Sequence, residues 1–317
     1  MRHAIPSDLV GLNMDLDTRG YLDTAYVGDM GGQVWRINLD PMDPKEWNVR
    51  QIANLNGDLT LNASVVADND LPRSIFYPPA VVKDKDHVKV VVGTGAQEMP
   101  LLTKTEDLIV MLKDGNQSIN PGDSQAKIAS DGTLKAPTTY LNSSLDGLAQ
   151  AFDPAGVTAE ALDAGSVQVT DEHTDALKTR LAELALDSTK GWVRRLPKGE
   201  KVTGKPMVFN WLARVPTWSP TVSLNACTPA GLGRLRVYGV RAGAPAVEEQ
   251  VDENGDSVSV LKTTLGPKAR GYVDNSTLIF QDGEVRQLIN ADGVTSQSSM
   301  NMGNAIETEY WYRELEN

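Results

Sequence analysis

The chain has 317 residues, 40% of them hydrophobic, with a formal net charge of −12 and a pI of about 4.8. That length and apolar content supply a sizeable core, and 27 glycines with 17 prolines favour many short strands joined by turns. The acidic balance argues against a nucleic-acid partner, because phosphate binding needs clustered Lys and Arg. No run of 18 apolar residues occurs, so no membrane span is predicted.

The first informative stretch is an acidic loop with the spacing D-x-D-x-x-G-x-x-D. Calcium loops of the EF-hand kind take oxygen ligands from positions 1, 3, 5, 7 (a backbone carbonyl) and 9, with Gly at position 6 for the turn. The residues that match positions 1, 3, 6, 7 and 9 are Asp15, Asp17, Gly20, Tyr21 and Asp23. Position 5, where a ligand is usually expected, is Arg19, which has no oxygen to offer.

A solvated turn is the competing interpretation of this loop, and for an arbitrary D-x-D it would be preferred. Here Gly20 stands at position 6, Asp23 at position 9 and a strand follows, so we expect a calcium site. A positive charge about 6 Å from a divalent ion costs roughly 5 kcal/mol at an effective dielectric constant of ~20. Arg19 is therefore expected to point outward, and the site is expected to bind calcium weakly.

Several strands are predicted along the first third of the chain. Residues 24–28 and 33–39 are β-formers around turn residues 29–32, which predicts a hairpin. Residues 74–82 predict a strand interrupted by prolines, and residues 87–93 its return partner, with Val88, Val90 and Val92 in alternation. Further strands are expected within residues 62–66 and 107–115.

Residues 114–190 differ in character, with many Ser, Asn, Gly, Ala and Asp residues and sparse apolar runs. One helix is predicted over residues 174–186, because Leu177, Leu181 and Leu184 share one face. This region is interpreted as a variable, partly helical insertion between strands.

Strand patterns return in residues 191–241 and again in residues 258–264, 277–280 and 284–289. A second acidic group, residues 252–256, contains Asn254-Gly255, a strong hairpin-turn signal, and is interpreted as a turn rather than a metal site. The single cysteine, Cys227, excludes an intramolecular disulfide and is expected to be a small buried side chain. The six tryptophans are expected to pack in the core.

The phrase Tyr-Val-Gly-Asp-x-Gly-Gly-x-Val-Trp over residues 26–35 resembles a blade of quinoprotein-like β-propellers. With the acidic loop directly before it, the chain resembles more narrowly the C-terminal domain of the type IV pilus tip and assembly proteins, the PilY family. Further similar segments occur in order in residues 74–113, in residues 191–241 and in the last nine residues, which contain Trp-Tyr-Arg-Glu-Leu.

This resemblance implies an all-β fold, a single β-propeller domain over residues 1–317 that forms the C-terminal part of a longer protein. It also implies a non-enzymatic pilus biogenesis factor and tip adhesin, in which bound Ca²⁺ regulates pilus extension and retraction. The expected partners are minor pilins at the pilus tip and a host or surface ligand. The expected location is the cell surface, the pilus tip, the periplasm or the outer membrane, with an export signal upstream. Only four or five blades are visible, so either further strands lie within residues 41–66 and 114–190 or the propeller is incomplete as given.

Two alternatives remain open. A propeller that acts as a pyrroloquinoline-quinone-dependent dehydrogenase would need adjacent cysteines, and the chain has one. A periplasmic propeller that only binds proteins during assembly is the other. Catalytic patterns are absent from the sequence, because His3, His87 and His173 stand singly and no Gly-x-Ser-x-Gly turn occurs.

Overall fold

A computed structural model describes residues 3–13, 20–39, 44–56, 73–83, 87–115, 126–127, 148–186, 191–220, 231–269, 273–281, 284–291 and 294–300. The predicted ligands Asp15 and Asp17, together with Arg19, lie outside these residues. So do the predicted strand at residues 62–66, Cys227 and the last nine residues.

Strands dominate the described residues, with two α-helices and one 3-10 turn, Pro44–Glu46. The strands before the first helix are β1 Val10–Leu12, β2 Thr24–Gly28, β3 Gln33–Asn38, β4 Asn48–Asn54, β5 Ala80–Lys83, β6 His87–Gly93, β7 Leu108–Gly115, β8 Ala126–Lys127 and β9 Ala149–Gln150. Helix α1 is Ala159–Ala164, strand β10 is Val167–Gln168 and helix α2 is Asp171–Leu186. The remaining strands are β11 Trp192–Arg195, β12 Lys201–Val202, β13 Met207–Phe209, β14 Leu212–Pro220, β15 Gly231–Gly239, β16 Ala246–Val251, β17 Ser257–Lys262, β18 Thr264–Ala269, β19 Val273–Gln281, β20 Glu284–Ala291 and β21 Val294–Met300.

The chain divides into two compact units. Unit 1 comprises residues 1–100, 104–149 and 188–198, and unit 2 comprises residues 101–103, 150–187 and 199–317. The predicted insertion is therefore shared, since its first part belongs to unit 1 and residues 150–187 belong to unit 2.

Unit 1 contains two antiparallel sheets. Sheet A has the order β1-β2-β3-β4-β8, and sheet B has the order β5-β6-β7-β11-β9. The first four strands of each sheet follow one another in chain order, and a short strand from the predicted insertion, β8 or β9, extends one edge. The β2–β3 pairing, from Thr24↔Asn38 to Gly28↔Val34, confirms the predicted first hairpin.

The core of unit 1 lies between sheets A and B. Alternate residues of each strand face it, including Val88, Val90 and Val92 of β6 and Leu108, Val110 and Leu112 of β7. Burial of each such side chain contributes about 1.5–3 kcal/mol relative to exposure. Lys89 and Val91, on the other face of β6, are also buried, so the strand is covered on both faces rather than on one. The predicted strand at residues 74–82 begins only at Ala80, because the prolines precede it.

Unit 2 contains three antiparallel sheets. Sheet C has the order β12-β14-β15-β18, with β13 also paired to β14. Sheet D has the order β10-β17-β16, and sheet E has the order β19-β20-β21. The long pair β14–β15 runs through nine residue pairs, from Leu212↔Gly239 to Pro220↔Gly231.

Helix α2 confirms the predicted helix and begins three residues earlier, at Asp171. Helix α1 was not predicted; it begins after the N-cap Thr158 and ends at Gly165 in the left-handed conformation. Trp35, Trp192 and Trp218 are buried as expected, but Trp47 is 41% exposed, so the expectation of core packing is wrong for that residue.

The mostly-β class predicted from the sequence is confirmed. The sheets formed by the described residues are open, and the β-propeller and the extent of a single domain over residues 1–317 stay predictions. None of the helices among the described residues is long and apolar enough to cross a membrane.

Candidate metal-binding loop and its surroundings

The predicted metal loop connects β1 to β2 and is closed by backbone pairing. Leu12 is opposite Thr24, and the Asp23 amide donates to the Leu12 carbonyl at 3.0 Å. The Asp23 carbonyl accepts from the Leu39 amide at 2.6 Å. The last predicted ligand is therefore fixed at the start of β2, at one end of sheet A.

Gly20 has a φ of +69°, in the left-handed region that favours glycine, as position 6 of a calcium loop requires. Tyr21 and Leu22 are 54% and 55% exposed, so this part of the loop faces solvent. A Cβ on Gly11 would lie 2.6 Å from the Cδ1 atom of Leu22, which shows that Leu22 leans over β1. Gly20, Tyr21 and Asp23 thus lie together at the end of sheet A.

The described residues contain no group of three or more His, Cys, Asp or Glu side chains arranged to hold a metal ion. Two of the three predicted carboxylate ligands, Asp15 and Asp17, fall outside those residues, so the calcium site stays a prediction. The pairing of β1 with β2 brings position 9 of the loop beside the strand that precedes position 1.

Asp29 organises the turn at the opposite end of the β2–β3 hairpin. Its fully buried carboxylate accepts hydrogen bonds from the amides of Gly31 and Gln33, at 2.9 and 3.0 Å, and from the indole N–H of Trp35 at 2.9 Å. Gly32 has a φ of +70°, and a Cβ there would lie 2.4 Å from the Arg73 carbonyl oxygen. The Asp-x-Gly-Gly-x-Val-Trp segment is therefore a self-consistent structural turn.

Asp114 forms a second buried cluster, where the core between sheets A and B ends. It accepts from the Tyr26 hydroxyl at 2.7 Å, from Arg36 at 3.0 Å and from Arg50 at 2.6 Å. These three donors lie opposite one another on β2, β3 and β4. Tyr26 is two residues, or about 7 Å, along β2 from Thr24, whose pairing with Leu12 closes the metal loop. Burial, and then the negative charge of Asp114, raise the pKa of Tyr26, so its hydroxyl stays protonated and donates.

Glu200 is the centre of a buried ion cluster in unit 2. Arg236 donates to both of its carboxylate oxygens at 2.8 Å, and Thr217 donates at 2.6 Å. The Nη1 atom of Arg234 lies 3.5 Å from the Oε2 atom of Glu200. Burial by itself would raise the pKa of Glu200, but the hydrogen bonds and charge of Arg236, then Thr217 and Arg234, hold it below its ordinary value.

Arg236 also bonds Asp163 of helix α1 at 2.5 Å, and Asp163 accepts from the Thr263 hydroxyl. The guanidinium of Arg236 therefore bonds both Glu200, which directly precedes β12, and Asp163 of the predicted insertion. Arg234 and Arg236 stand two residues apart on β15 and so share one face, a sequence signal that could have indicated this cluster. Its acidic partners are far away in the sequence and carried no such signal.

The second acidic group is a turn, as predicted. Asp252 Oδ1 accepts from the amides of Asn254 and Asp256 at 2.8 and 2.9 Å, and Gly255 has a φ of +88° between β16 and β17. The backbone hydrogen bonds from Asp256, and then from Asn254, lower the pKa of Asp252. Its carboxylate stabilises the hairpin turn.

Comparison with known proteins finds a distant relative. No protein-family profile matches the chain. The chain is 24% identical over 268 residues to a type IV pilus biogenesis factor PilY1 homolog of Xylella fastidiosa strain Temecula1. The match covers 81% of this chain and spans 16% of the length of that relative. At this identity it points to the PilY family only weakly.

Two solved structures align with most of the chain. One is a Cellvibrio cellulosa α-L-arabinanase complexed with arabinohexaose, at 10% identity and a TM-score of 0.25, covering 95% of this chain and 92% of that structure. The other is the polysaccharide lyase Uly1, at 9% identity and a TM-score of 0.27, covering 90% of this chain and 57% of that one. TM-scores this low support no inference about fold or activity.

Proposed function

We propose that this chain is part of a non-enzymatic type IV pilus biogenesis factor and tip adhesin. The observation that carries the proposal is the similarity to the Xylella fastidiosa PilY1 homolog across 81% of the chain. The antiparallel sheets and the order of loop, hairpin and turn within this chain are compatible with it. In this role the chain is exported, lies at the cell surface or pilus tip, and contacts the pilus machinery.

The proposed regulatory element is the loop between β1 and β2. Asp15, Asp17 and Asp23 would supply carboxylate oxygens, and Tyr21 its carbonyl oxygen, to a Ca²⁺ ion. A bound Ca²⁺ ion would neutralise the mutual repulsion of these carboxylates and hold the loop in one conformation. Because Asp23 is hydrogen-bonded to Leu12 and Leu39, order in the loop would be transmitted to the β1 edge and to the β3 end of sheet A.

Arg19 would weaken the site by occupying a ligand position with a positive charge. The proposed loop would therefore respond at the calcium concentrations of extracellular modules, about 10⁻⁴ to 10⁻³ M. Such a site would be filled outside the cell and empty at low calcium, which suits a switch between pilus extension and retraction.

The test is made in the organism that produces the protein. Deletion of the gene is expected to reduce surface pili and twitching motility, and the wild-type gene to restore both. Asp17→Ala is expected to restore pili without the calcium dependence of motility, whereas Arg19→Asp should shift that dependence to lower calcium. Asp8→Ala, which changes an exposed aspartate outside the loop, is the matched control and should behave as wild type.

The outcomes separate the two parts of the proposal. Normal piliation after deletion would exclude a role in pilus biogenesis. Loss of pili after deletion, with wild-type calcium dependence in both loop variants, would retain the pilus role and exclude calcium regulation.

A further inference from the structure

The turn between β13 and β14 contains two residues in the left-handed conformation. Asn210 and Trp211 have φ values of 51° and 56°, and they form the whole connection because Phe209 pairs with Leu212. Positive φ at both central residues is the signature of a type I′ hairpin turn, whose second central position favours glycine. A bulky residue at positive φ is a conformational outlier, so Trp211 occupies a conformation that its side chain disfavours.

Arg241 and Val240 hold Trp211 from one side. The guanidinium carbon of Arg241 lies 4.7 Å from the centroid of the Trp211 ring, within cation–π range. The Val240 amide donates to the Trp211 carbonyl at 2.8 Å. Both contacts come from a tight loop in which the Gly239 amide donates to Ala244 and the Gly243 amide donates to Gly239. Trp211 is thus attached by its ring and by its backbone to one rigid segment.

Arg214 holds the two ends of the same turn from inside unit 2. Its Nη1 group donates to the carbonyl of Phe209 at 3.0 Å and approaches that of Leu212 at 3.4 Å. The side chain is almost fully buried, and its guanidinium lies 5.9 Å from the Phe209 ring. Burial lowers the pKa of Arg214 to about 10, so the side chain remains cationic at neutral pH. The ends of the turn are therefore fixed independently of its centre.

We propose that the Trp211–Arg241 stack is a latch that keeps the β13–β14 turn in its left-handed conformation. Backbone conformations of this kind persist only where the surrounding structure over-determines them. When the stack is broken, the centre of the turn relaxes and the half-buried indole moves away from Arg241 into solvent.

This inference depends neither on the pilus role nor on calcium, because every residue in it lies in unit 2 and outside the metal loop. It makes a local prediction about the amide of Val240, because relaxation of the turn would break the hydrogen bond from this amide to the Trp211 carbonyl. Native-state hydrogen exchange of this amide therefore reports latch opening directly.

The first arm of the experiment removes the cation. Arg241→Ala is expected to speed Val240 amide exchange by about tenfold, because loss of the cation–π contact and release of backbone strain act in the same direction. Arg241→Lys keeps the positive charge and should give an intermediate rate. Arg180→Ala, which removes an arginine of helix α2 in the same unit, is the matched control and should leave Val240 exchange unchanged.

The second arm removes the strain. Trp211→Gly and Trp211→Ala both delete the ring, but only glycine accepts positive φ without cost. We expect slow Val240 exchange in Trp211→Gly and fast exchange in Trp211→Ala. In the Trp211→Gly background, Arg241→Ala should have no further effect on the rate.

Two results would overturn the latch. One is Val240 exchange in Arg241→Ala within about twofold of wild type, a difference too small for a released local structure. The other is an effect of Arg241→Ala that is equal in the wild-type and Trp211→Gly backgrounds. Should Arg241→Ala fail to fold, the comparison of Arg241→Lys with Trp211→Gly and Trp211→Ala decides the same question.

Discussion

The negative charge of Glu200 is buried in the interior of unit 2, and the guanidinium of Arg236 compensates it. Removal of one partner of a buried ion pair costs about 3–5 kcal/mol, because the other charge remains buried without compensation. Glu200→Gln is therefore expected to lower the free energy of unfolding by roughly that amount at pH 7, measured by urea denaturation. Glu183→Gln, which removes an exposed partner of Arg180, should cost less than about 1 kcal/mol.

The same residue makes the stability of unit 2 depend on pH in the acidic range. The folded-state pKa of Glu200 lies below its unfolded value, so the unfolded chain binds the extra proton first as the pH falls. The stabilisation is complete above the ordinary carboxyl pKa of about 4.3 and is lost as the pH falls from there toward the folded pKa. Melting temperatures measured between pH 6 and pH 3 should fall less steeply in Glu200→Gln than in wild type. Parallel curves would show that Glu200 contributes nothing to the acid response.

At the scale of the element, the β14–β15 pair depends on a close approach at the end where Pro220 pairs with Gly231. Trp218 is 2% exposed, and a Cβ built on Gly231 would lie 2.1 Å from its indole. Gly231→Ala is expected to destabilise the protein by about 1–3 kcal/mol, because the buried ring cannot move aside without displacing its neighbours.

Gly11→Ala is the matched control for that variant. A Cβ on Gly11 also makes a short contact, 2.6 Å, but with the tip of Leu22, which is 55% exposed and able to rotate away. Urea denaturation should show a change below about 0.5 kcal/mol, as for a surface substitution. Equal losses in the two variants would mean that glycine in a strand, rather than the Trp218 contact, sets the effect.

Helix α1 in the predicted insertion is stabilised by tertiary contacts, although its sequence shows no strong helical pattern. Helix α1 has only six residues, yet Thr158 caps it, buried Leu162 anchors it and Asp163 bonds Arg236. Residues 148–186 contain two α-helices and two short strands, which fits the partly helical character predicted for residues 114–190, and the variability of that span stays a prediction.

At the scale of the whole molecule, calcium should raise thermal stability if the loop binds it. At ten times the dissociation constant, a ligand that binds only the folded state adds about 1.4 kcal/mol to the free energy of unfolding. Calcium is expected to raise the melting temperature of wild type, Asp17→Ala to abolish the rise, and Arg19→Asp to produce it at lower calcium. Differential scanning calorimetry with calcium and with magnesium measures this, and no rise in either wild type or Arg19→Asp would show the loop to be only a turn.

The sequence by itself determined the features that depend on near neighbours. The hairpin at residues 24–38, the return strand at His87–Gly93, helix α2 and the turn at Asp252 all follow from local periodicity, turn chemistry and capping, which operate within a few residues. Strand β16 was missed, since Glu248, Glu249 and Gln250 mask its alternation.

Only the tertiary structure decided which strands share a sheet and which charges are buried. Asp114 meets Tyr26 across 88 positions of sequence, and Arg236 meets Asp163 across 73. A local pattern cannot distinguish such a carboxylate from a solvated one, because the difference lies in partners brought close by the fold. Trp211 is the clearest case, because its left-handed conformation depends on the pairing of Phe209 with Leu212 and on the contact with Arg241, and neither is evident from the local sequence.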